Sequence, residues 1–294
     1  MSDAAAPMAL SPLERARAEA VLGWRPTSWR PVHGGYTPAA RYVVADGAHR
    51  AFVKVATNRT TVNMLRREAR TYGAAQGPFM PRFIGWSDDP DAPLLAIEDL
   101  SDAHWPPPWT TAQIDQVLAQ LEAMHAVRVD LPALTDVDPH ALDGWSQVAR
   151  DPGPFLSLGL ASRAWLETAL PALVAAEAAC SAEGEALTHY DLRSDNICIA
   201  SSGAMFIDWA AAARGNPALD LGFWLPSLQR EGGPPPASLL PGHPEVAAAV
   251  SGYFAARAGL PIIPSAPRVR IIQRAQLETA LPWAVRALGL PPPA

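Results

Sequence analysis

The stretch His189-Tyr190-Asp191-Leu192-Arg193-Ser194-Asp195-Asn196, followed twelve positions later by Asp208, carries the densest chemistry in the 294-residue chain. It offers a carboxylate at Asp191, a cation two residues on at Arg193, an amide at Asn196 and a second carboxylate at Asp208. Between Asn196 and Asp208 lie two short apolar runs, Ile197-Cys198-Ile199-Ala200 and Ala204-Met205-Phe206-Ile207, separated by Ser201-Ser202-Gly203. Two such runs flanking a glycine-containing turn predict a β-hairpin. The hairpin sets Asn196 and Asp208 side by side at its open end, next to the loop that bears Asp191. Two facing oxygen ligands with a third carboxylate nearby suit Mg²⁺ bound to a polyphosphate, because that ion keeps several waters and takes few protein ligands.

The spacing H-x-D-x-x-x-x-N is also that of the catalytic loop in protein-kinase-like phosphotransferases. Asp208-Trp209 stands where protein kinases carry Asp-Phe-Gly. In this the chain resembles the aminoglycoside phosphotransferase and choline kinase family, the small-molecule branch of the kinase-like proteins. It lacks Ala-Pro-Glu and a long segment between Asp208 and Asp220, features expected of a protein kinase. The resemblance runs from about Val32 to Trp224 and implies an α+β, two-lobed protein-kinase-like fold. A small N-terminal lobe, residues 1–98, is expected to hold an antiparallel sheet with one key helix and to bind nucleotide. A larger, mainly helical lobe, residues 99–294, is expected to carry catalysis and the acceptor.

Composition narrows the partners. A net charge of −6 argues against nucleic acid, whose backbone calls for a basic surface. No apolar run approaches the ~20 residues that span a bilayer, and Met1 to Ala6 shows no basic region leading into an apolar core. Two cysteines, Cys180 and Cys198, do not make a disulfide framework, and Cys198 lies in an apolar strand as a buried thiol. A cytoplasmic enzyme is expected; oligomeric state is not legible.

Of 23 basic residues one is lysine, Lys54, inside Phe52-Val53-Lys54-Val55. A chain that uses arginine everywhere else has reason to want a compact point charge there, since the two cations are not interchangeable. An inward lysine among valines also needs a partner. The following segment, Thr60 to Ala75, reads as a helix with Leu65, Ala69 and Tyr72 on one face, and it carries Glu68. Taken alone, Glu68 reads equally as part of a solvated face beside Arg66, Arg67 and Arg70. Likewise Gly34-Gly35, between the strand-like Ser28–Val32 and Arg41–Val44, read either as a hairpin turn or as a backbone that admits phosphate.

The resemblance assigns roles. Lys54 contacts the α- and β-phosphates and is held by Glu68; Gly34, Gly35 and Thr37 contact phosphate. Glu98, at the end of the apolar strand Pro93–Leu100, belongs to the hinge that meets the purine, and Ile207 lines the nucleotide. Asn196 and Asp208 hold Mg²⁺. Asp191 orients the acceptor hydroxyl, and Arg193 neutralises the transferred phosphoryl group. His189 and Asp220 support the loop. The implied reaction moves the γ-phosphoryl group of ATP or GTP to a hydroxyl of a small molecule, an aminoglycoside or other antibiotic first, with choline-like amino alcohols and sugars as alternatives. A non-catalytic nucleotide-binding relative and a metal-dependent hydrolase built on His189, Asp191 and Asp208 are the other classes weighed. Trp145, Trp165, Trp224 and Trp283 are read as core or as an aromatic wall for the acceptor. Asp130 to Pro154 reads as loop-rich, and Glu245–Ala258 and Val269–Leu288 as closing helices.

Overall fold

The computed structural model describes residues 10–33, 35 and 37–293. Helix α1 (Pro12–Leu22) opens on a capping box in which Ser11 and Glu14 satisfy each other's backbone N–H groups. Strands β1 (Ser28–Pro31), β2 (Ala40–Ala45) and β3 (Arg50–Val55) follow, then helix α2 (Arg59–Ala74), then β4 (Phe83–Ser87) and β5 (Leu94–Ile97). They form one antiparallel sheet in the order β1-β2-β3-β5-β4.

Strand alternation decides where the lysine goes. Ala51, Val53 and Val55 turn toward α1 and pack with Ala18 and Leu22. Phe52 and Lys54 therefore point to the opposite face, the one covered by α2. On α2 the buried stripe is Val62, Leu65, Glu68, Thr71 and Tyr72, so Glu68 lies on the core face beside Leu65 and Tyr72. Asn58 and Thr61 cap the helix reciprocally.

The rest of the chain is mostly helical: α3 (Thr111–His125), α4 (Leu134–Val137), α5 (Gly144–Arg150), α6 (Gly153–Leu156) and α7 (Arg163–Ala179). Strand β6 (Ala186–Thr188) leads into the catalytic stretch. The expected hairpin is β7 (Ile197–Ala200) and β8 (Gly203–Phe206), with Ile197 opposite Phe206. Strand β9 (Ala213–Gly215) pairs with β6, and helices α8 (Ala218–Arg230), α9 (Pro236–Leu239), α10 (Pro244–Ala258) and α11 (Val269–Ala287) complete the lobe. The apolar core is continuous from Leu65, Tyr72 and Leu95 of the sheet lobe to Phe206, Trp209 and Trp224 of the helical lobe.

Two readings are corrected. Residues 130–154 are not loop-rich: α4 and α5 lie wholly within them, and α6 begins there. The cap of α5 comes from another helix, since Glu177 of α7 accepts hydrogen bonds from Trp145 N (2.8 Å) and Ser146 N (3.1 Å). Gly144 allows α5 to lie directly on α10, where a Cβ would meet the Gly252 backbone at 2.1 Å. The four tryptophans are core: Trp145, Trp224 and Trp283 are fully buried, Trp165 is nearly so, and none of them faces the cleft described below. Cys180 and Cys198 are free, buried thiols, and burial pushes both up to about 12. Among the described residues no helix is long and apolar enough to cross a membrane.

Candidate active site

Asp220 organises the stretch from His189 to Asn196. It is the third residue of α8, a position where carboxylates usually cap their own helix. Here it is fully buried and its oxygens accept from Tyr190 N (2.7 Å), His189 N (3.0 Å) and the His125 ring (3.0 Å). Those bonds hold Tyr190 at a φ of 61°, in the left-handed region that non-glycine residues seldom adopt. Such a conformation persists only when its surroundings over-determine it. The bend delivers Asp191 to the cleft. His125, the last residue of α3, is thus part of the brace.

His189 is also fully buried, and both of its nitrogens are occupied. Its Nε2 donates to Ile207 O (2.8 Å), and its Nδ1 accepts from Asp191 N (3.3 Å). That pattern requires the neutral imidazole, and burial pulls its pKa below the ordinary value. The ring has no nitrogen left for a metal, which removes the donor that a His189-based hydrolase needs. It ties the loop to the hairpin, as expected of a supporting residue. Ile207 is the other end of that tie: its N donates to Asn196 O (3.0 Å).

The hairpin brings Asn196 and Asp208 together as the spacing implied. Asn196 directs its amide nitrogen at Asp191 O (2.8 Å), which leaves the amide oxygen as a ligand atom. Asp208 also adopts the left-handed region, φ 64° and ψ 58°. The turn after it, Trp209–Ala211, docks on α2, where Thr71 donates to Trp209 O (3.2 Å). That bond ties helix α2 to the Asp208 turn.

Lys54 sits where these elements meet and is 4% exposed. Its ammonium donates to both oxygens of Glu68 (2.8 and 3.1 Å) and to Asp208. Burial alone would lower the lysine's pKa; the charges of Asp208 and Glu68 outweigh it and leave the pKa raised. Burial likewise raises Glu68 and opposes the drop at Asp208, which Lys54 nonetheless holds well below the usual carboxylate range. A lysine in contact with two carboxylates is poised to give one of them up to a ligand.

Asp191 and Arg193 form an ion pair, and Arg193 also donates to Asp195 (3.0 and 3.3 Å). The Asp191 side chain remains partly open to the cleft, and burial raises its pKa against the pull of Arg193. Gly35 takes a φ of 74°, and a Cβ there would meet the Arg41 guanidinium at 2.9 Å. Arg41 donates to Thr37 Oγ1 (2.8 Å), Thr37 O (3.1 Å) and Ala39 O (2.9 Å), so the turn after β1 is wrapped around this side chain. Arg41 lies directly opposite Lys54 across β2 and β3 and lines the same cleft. Gly34 lies outside the described residues. The Glu98 carboxylate accepts from Arg82 N (3.0 Å) and its N–H donates to Arg82 O (2.9 Å), which joins the ends of β4 and β5.

The cleft, about 450 Å³, runs between the lobes. One end is lined by Thr37, Arg41, Lys54, Glu68 and Asp208; Asp191 and Arg193 lie beyond them. The far end is aromatic. Tyr190 meets Phe223 edge-on at 5.3 Å, and Phe223 meets Tyr253 at 5.1 Å and Phe254 at 5.8 Å. Sequence reading missed Arg41 and this aromatic group. For Arg41 a signal existed, since a two-residue strand period places it on the face of Lys54 once the register is known.

The donor set fits a magnesium ion. An amide oxygen and a carboxylate are hard donors, two in number, beside a surface that already binds cation to carboxylate. Among the described residues there is no cluster of three or more His, Cys, Asp and Glu side chains of the kind a dedicated metal cage needs.

The model of the phosphotransferase enzyme family matches residues 28–283, and the chain belongs to that family. Its fold is that of solved family members. A thermostable variant of aminoglycoside phosphotransferase APH(4)-Ia, in complex with ADP and hygromycin B, superposes with a TM-score of 0.56 at 14% identity, over 93% of this chain and 98% of the other. For choline kinase LicA from Streptococcus pneumoniae the values are 0.57 and 14%, over 94% and 98%. For spectinomycin phosphotransferase APH(9)-Ia, bound to ADP and spectinomycin, they are 0.57 and 12%, over 96% and 100%. No curated protein sequence matches the chain.

Proposed function

We propose that the protein transfers the γ-phosphoryl group of ATP or GTP to a hydroxyl of a small-molecule acceptor. The observation that carries this reading is the convergence of Lys54, Glu68, Asp191 and Asp208, from both lobes, on one cleft, with Asn196 hydrogen-bonded to the backbone of Asp191. Lys54 keeps Glu68 and exchanges its contact with Asp208 for oxygens of the α- and β-phosphates. Arg41, with Gly35 and Thr37, shapes the backbone that covers them. Asn196 and Asp208 would hold Mg²⁺, which would supply charge neutralisation on the phosphates.

Asp191 receives the acceptor hydroxyl as a hydrogen-bond donor and fixes its oxygen in line with the γ-phosphorus. The O–P bond to the acceptor forms as the bond to the β-phosphate oxygen breaks, and ADP or GDP leaves with that electron pair. The hydroxyl proton passes to Asp191. Its raised pKa favours that transfer, although positioning is the larger contribution from a carboxylate. Arg193, paired with Asp191, stands at the place where negative charge accumulates on the transferred group. The nucleotide lobe is taken as residues 1–98 and the catalytic lobe as 99–294, and the cytoplasm supplies the triphosphate.

Coupled ADP and GDP release with Mg²⁺ against a panel of hydroxylated amines, antibiotics and sugars tests the proposal. Turnover with an acceptor, lost in Asp191→Asn, supports it. Release that is unchanged in Asp191→Asn contradicts it.

A further inference from the structure

Resting on the kinase reading, the far end of the cleft identifies the kind of alcohol that is phosphorylated. The acceptor hydroxyl has to approach Asp191 from the side away from Lys54. On that side the wall is Tyr190, Phe223, Tyr253 and Phe254, extended by Val269 and Ile272 at the start of α11. Asp138 and Gln273 are the main polar additions among the described lining residues.

Charge is the discriminating quantity. Four carboxylates line the whole cleft, Glu68, Asp138, Asp191 and Asp208. Three already hold cations: Glu68 and Asp208 share Lys54, and Asp191 holds Arg193. That leaves Asp138 for a cationic acceptor. Arg257 sits close by, stacked 4.0 Å over the Tyr253 ring and bordering the same side opening as Asp138. Arg270 donates to Gln273 Oε1 (2.9 Å), so a second arginine borders this wall. A molecule with several ammonium groups would bring charges that lack carboxylate partners, and each unpaired charge taken out of water costs several kcal/mol. An apolar ring face, by contrast, gains from burial on aromatic and aliphatic side chains.

We infer that the acceptor is an alcohol with an apolar face and at most one positive charge, and not a polycationic aminoglycoside. This departs from the acceptor class that the sequence resemblance put first. Apart from Tyr190, in the loop that carries Asp191, and Asp138, which follows α4, the wall residues named here come from α8, α10 and α11.

The test measures melting temperature and affinity of the full chain in saturating Mg²⁺–ADP. The probes are chloramphenicol (neutral) and erythromycin (one amine) against kanamycin and hygromycin B (several amines). At least one of the first pair is expected to bind ten-fold or more tightly than either polycation. In Ile272→Glu, a half-exposed position on α11, that binding is expected to weaken at least ten-fold while the Mg²⁺–ADP shift stays unchanged. Tighter binding of a polycation overturns the inference, as does no binding by either apolar-faced alcohol while Mg²⁺–ADP still raises the melting temperature. Unchanged affinity in Ile272→Glu overturns the placement of the acceptor on this wall. Absence of any Mg²⁺–ADP shift is the separate result that overturns the kinase reading itself.

Discussion

Replacing Asp220 by asparagine tests whether one buried carboxylate sets the geometry of the catalytic loop. The wild-type side chain is fully buried and accepts at 2.7, 3.0 and 3.0 Å from Tyr190 N, His189 N and the His125 ring. Hydrogen bonds to a charged group contribute about 1.5–3 kcal/mol each. Asparagine keeps one oxygen and presents an NH₂ group where the other was. Whichever way it turns, at least one N–H donor then faces another donor. Loss of one to two such bonds amounts to about 2–5 kcal/mol, and at ~2–4 °C per kcal/mol for a chain of this size the melting temperature falls by roughly 5–15 °C. Tyr190 is released from its left-handed conformation at the same time, and Asp191 loses its position. Misplacement of a reacting group by ~1 Å lowers turnover on the order of 100-fold. Thermal unfolding by circular dichroism reads the first effect, and nucleotide-coupled turnover at a temperature where the variant is folded reads the second. A fall of less than 2 °C with turnover intact would refute the reasoning.

Three other substitutions follow from the same geometry. Lys54→Arg keeps the charge, but a planar guanidinium replaces a point charge that contacts Glu68 and Asp208 in a site 4% exposed; turnover should fall at least 100-fold and stability by about 2–4 kcal/mol, measured by steady-state kinetics and urea unfolding. Arg41→Ala removes the group around which Gly35 and Thr37 are wrapped, so the KM for ATP should rise about ten-fold with the KM for acceptor unchanged. Glu177 has its pKa raised from 4.5 to about 7, because burial outweighs its hydrogen bonds to Trp145 and Ser146. Between those two values the folded protein holds a proton that the unfolded chain has released. Stability should therefore decline as pH rises from 4.5 to 7, by roughly 3 kcal/mol at most, and level off above. Urea unfolding across that range should show stability falling more steeply with pH in wild type than in Glu177→Gln, the difference between the two profiles being the contribution of Glu177.

The Lys54 end of the cleft was legible because its chemistry is contiguous. Asp191, Arg193 and Asn196 lie within six residues, and a two-strand hairpin fixes Asp208 against Asn196 with no information beyond local alternation. Lys54 announced itself by being the single lysine among 23 basic residues. Glu68 was harder, since its arginine neighbours suggested a wet face; the helix turns so that it shares a stripe with Leu65 and Tyr72. The aromatic end was not legible. Phe223, Tyr253 and Ile272 sit on three helices whose apolar spacing is the same whether a side chain faces the core or a cleft. Tryptophans drew attention for their size, yet the close approach of α5 and α10 at Gly144 and Gly252 places Trp145 deep in the lobe. Arg41 was concealed in a chain where arginine is the ordinary cation, and only strand register sets it across from Lys54. The cap of α5 by Glu177 joins residues 31 and 32 apart, beyond the reach of any local pattern.

The central claim is that Lys54, Asn196 and Asp208 form one nucleotide site that works through a divalent cation. Calorimetric titration of the protein with ADP, with and without Mg²⁺, measures it without any knowledge of the acceptor. Wild type should bind at least ten-fold more tightly with Mg²⁺, and Asn196→Ala and Asp208→Asn should lose most of that difference. Equal affinity with and without Mg²⁺ in wild type, or a Mg²⁺ effect undiminished in both variants, would contradict the account.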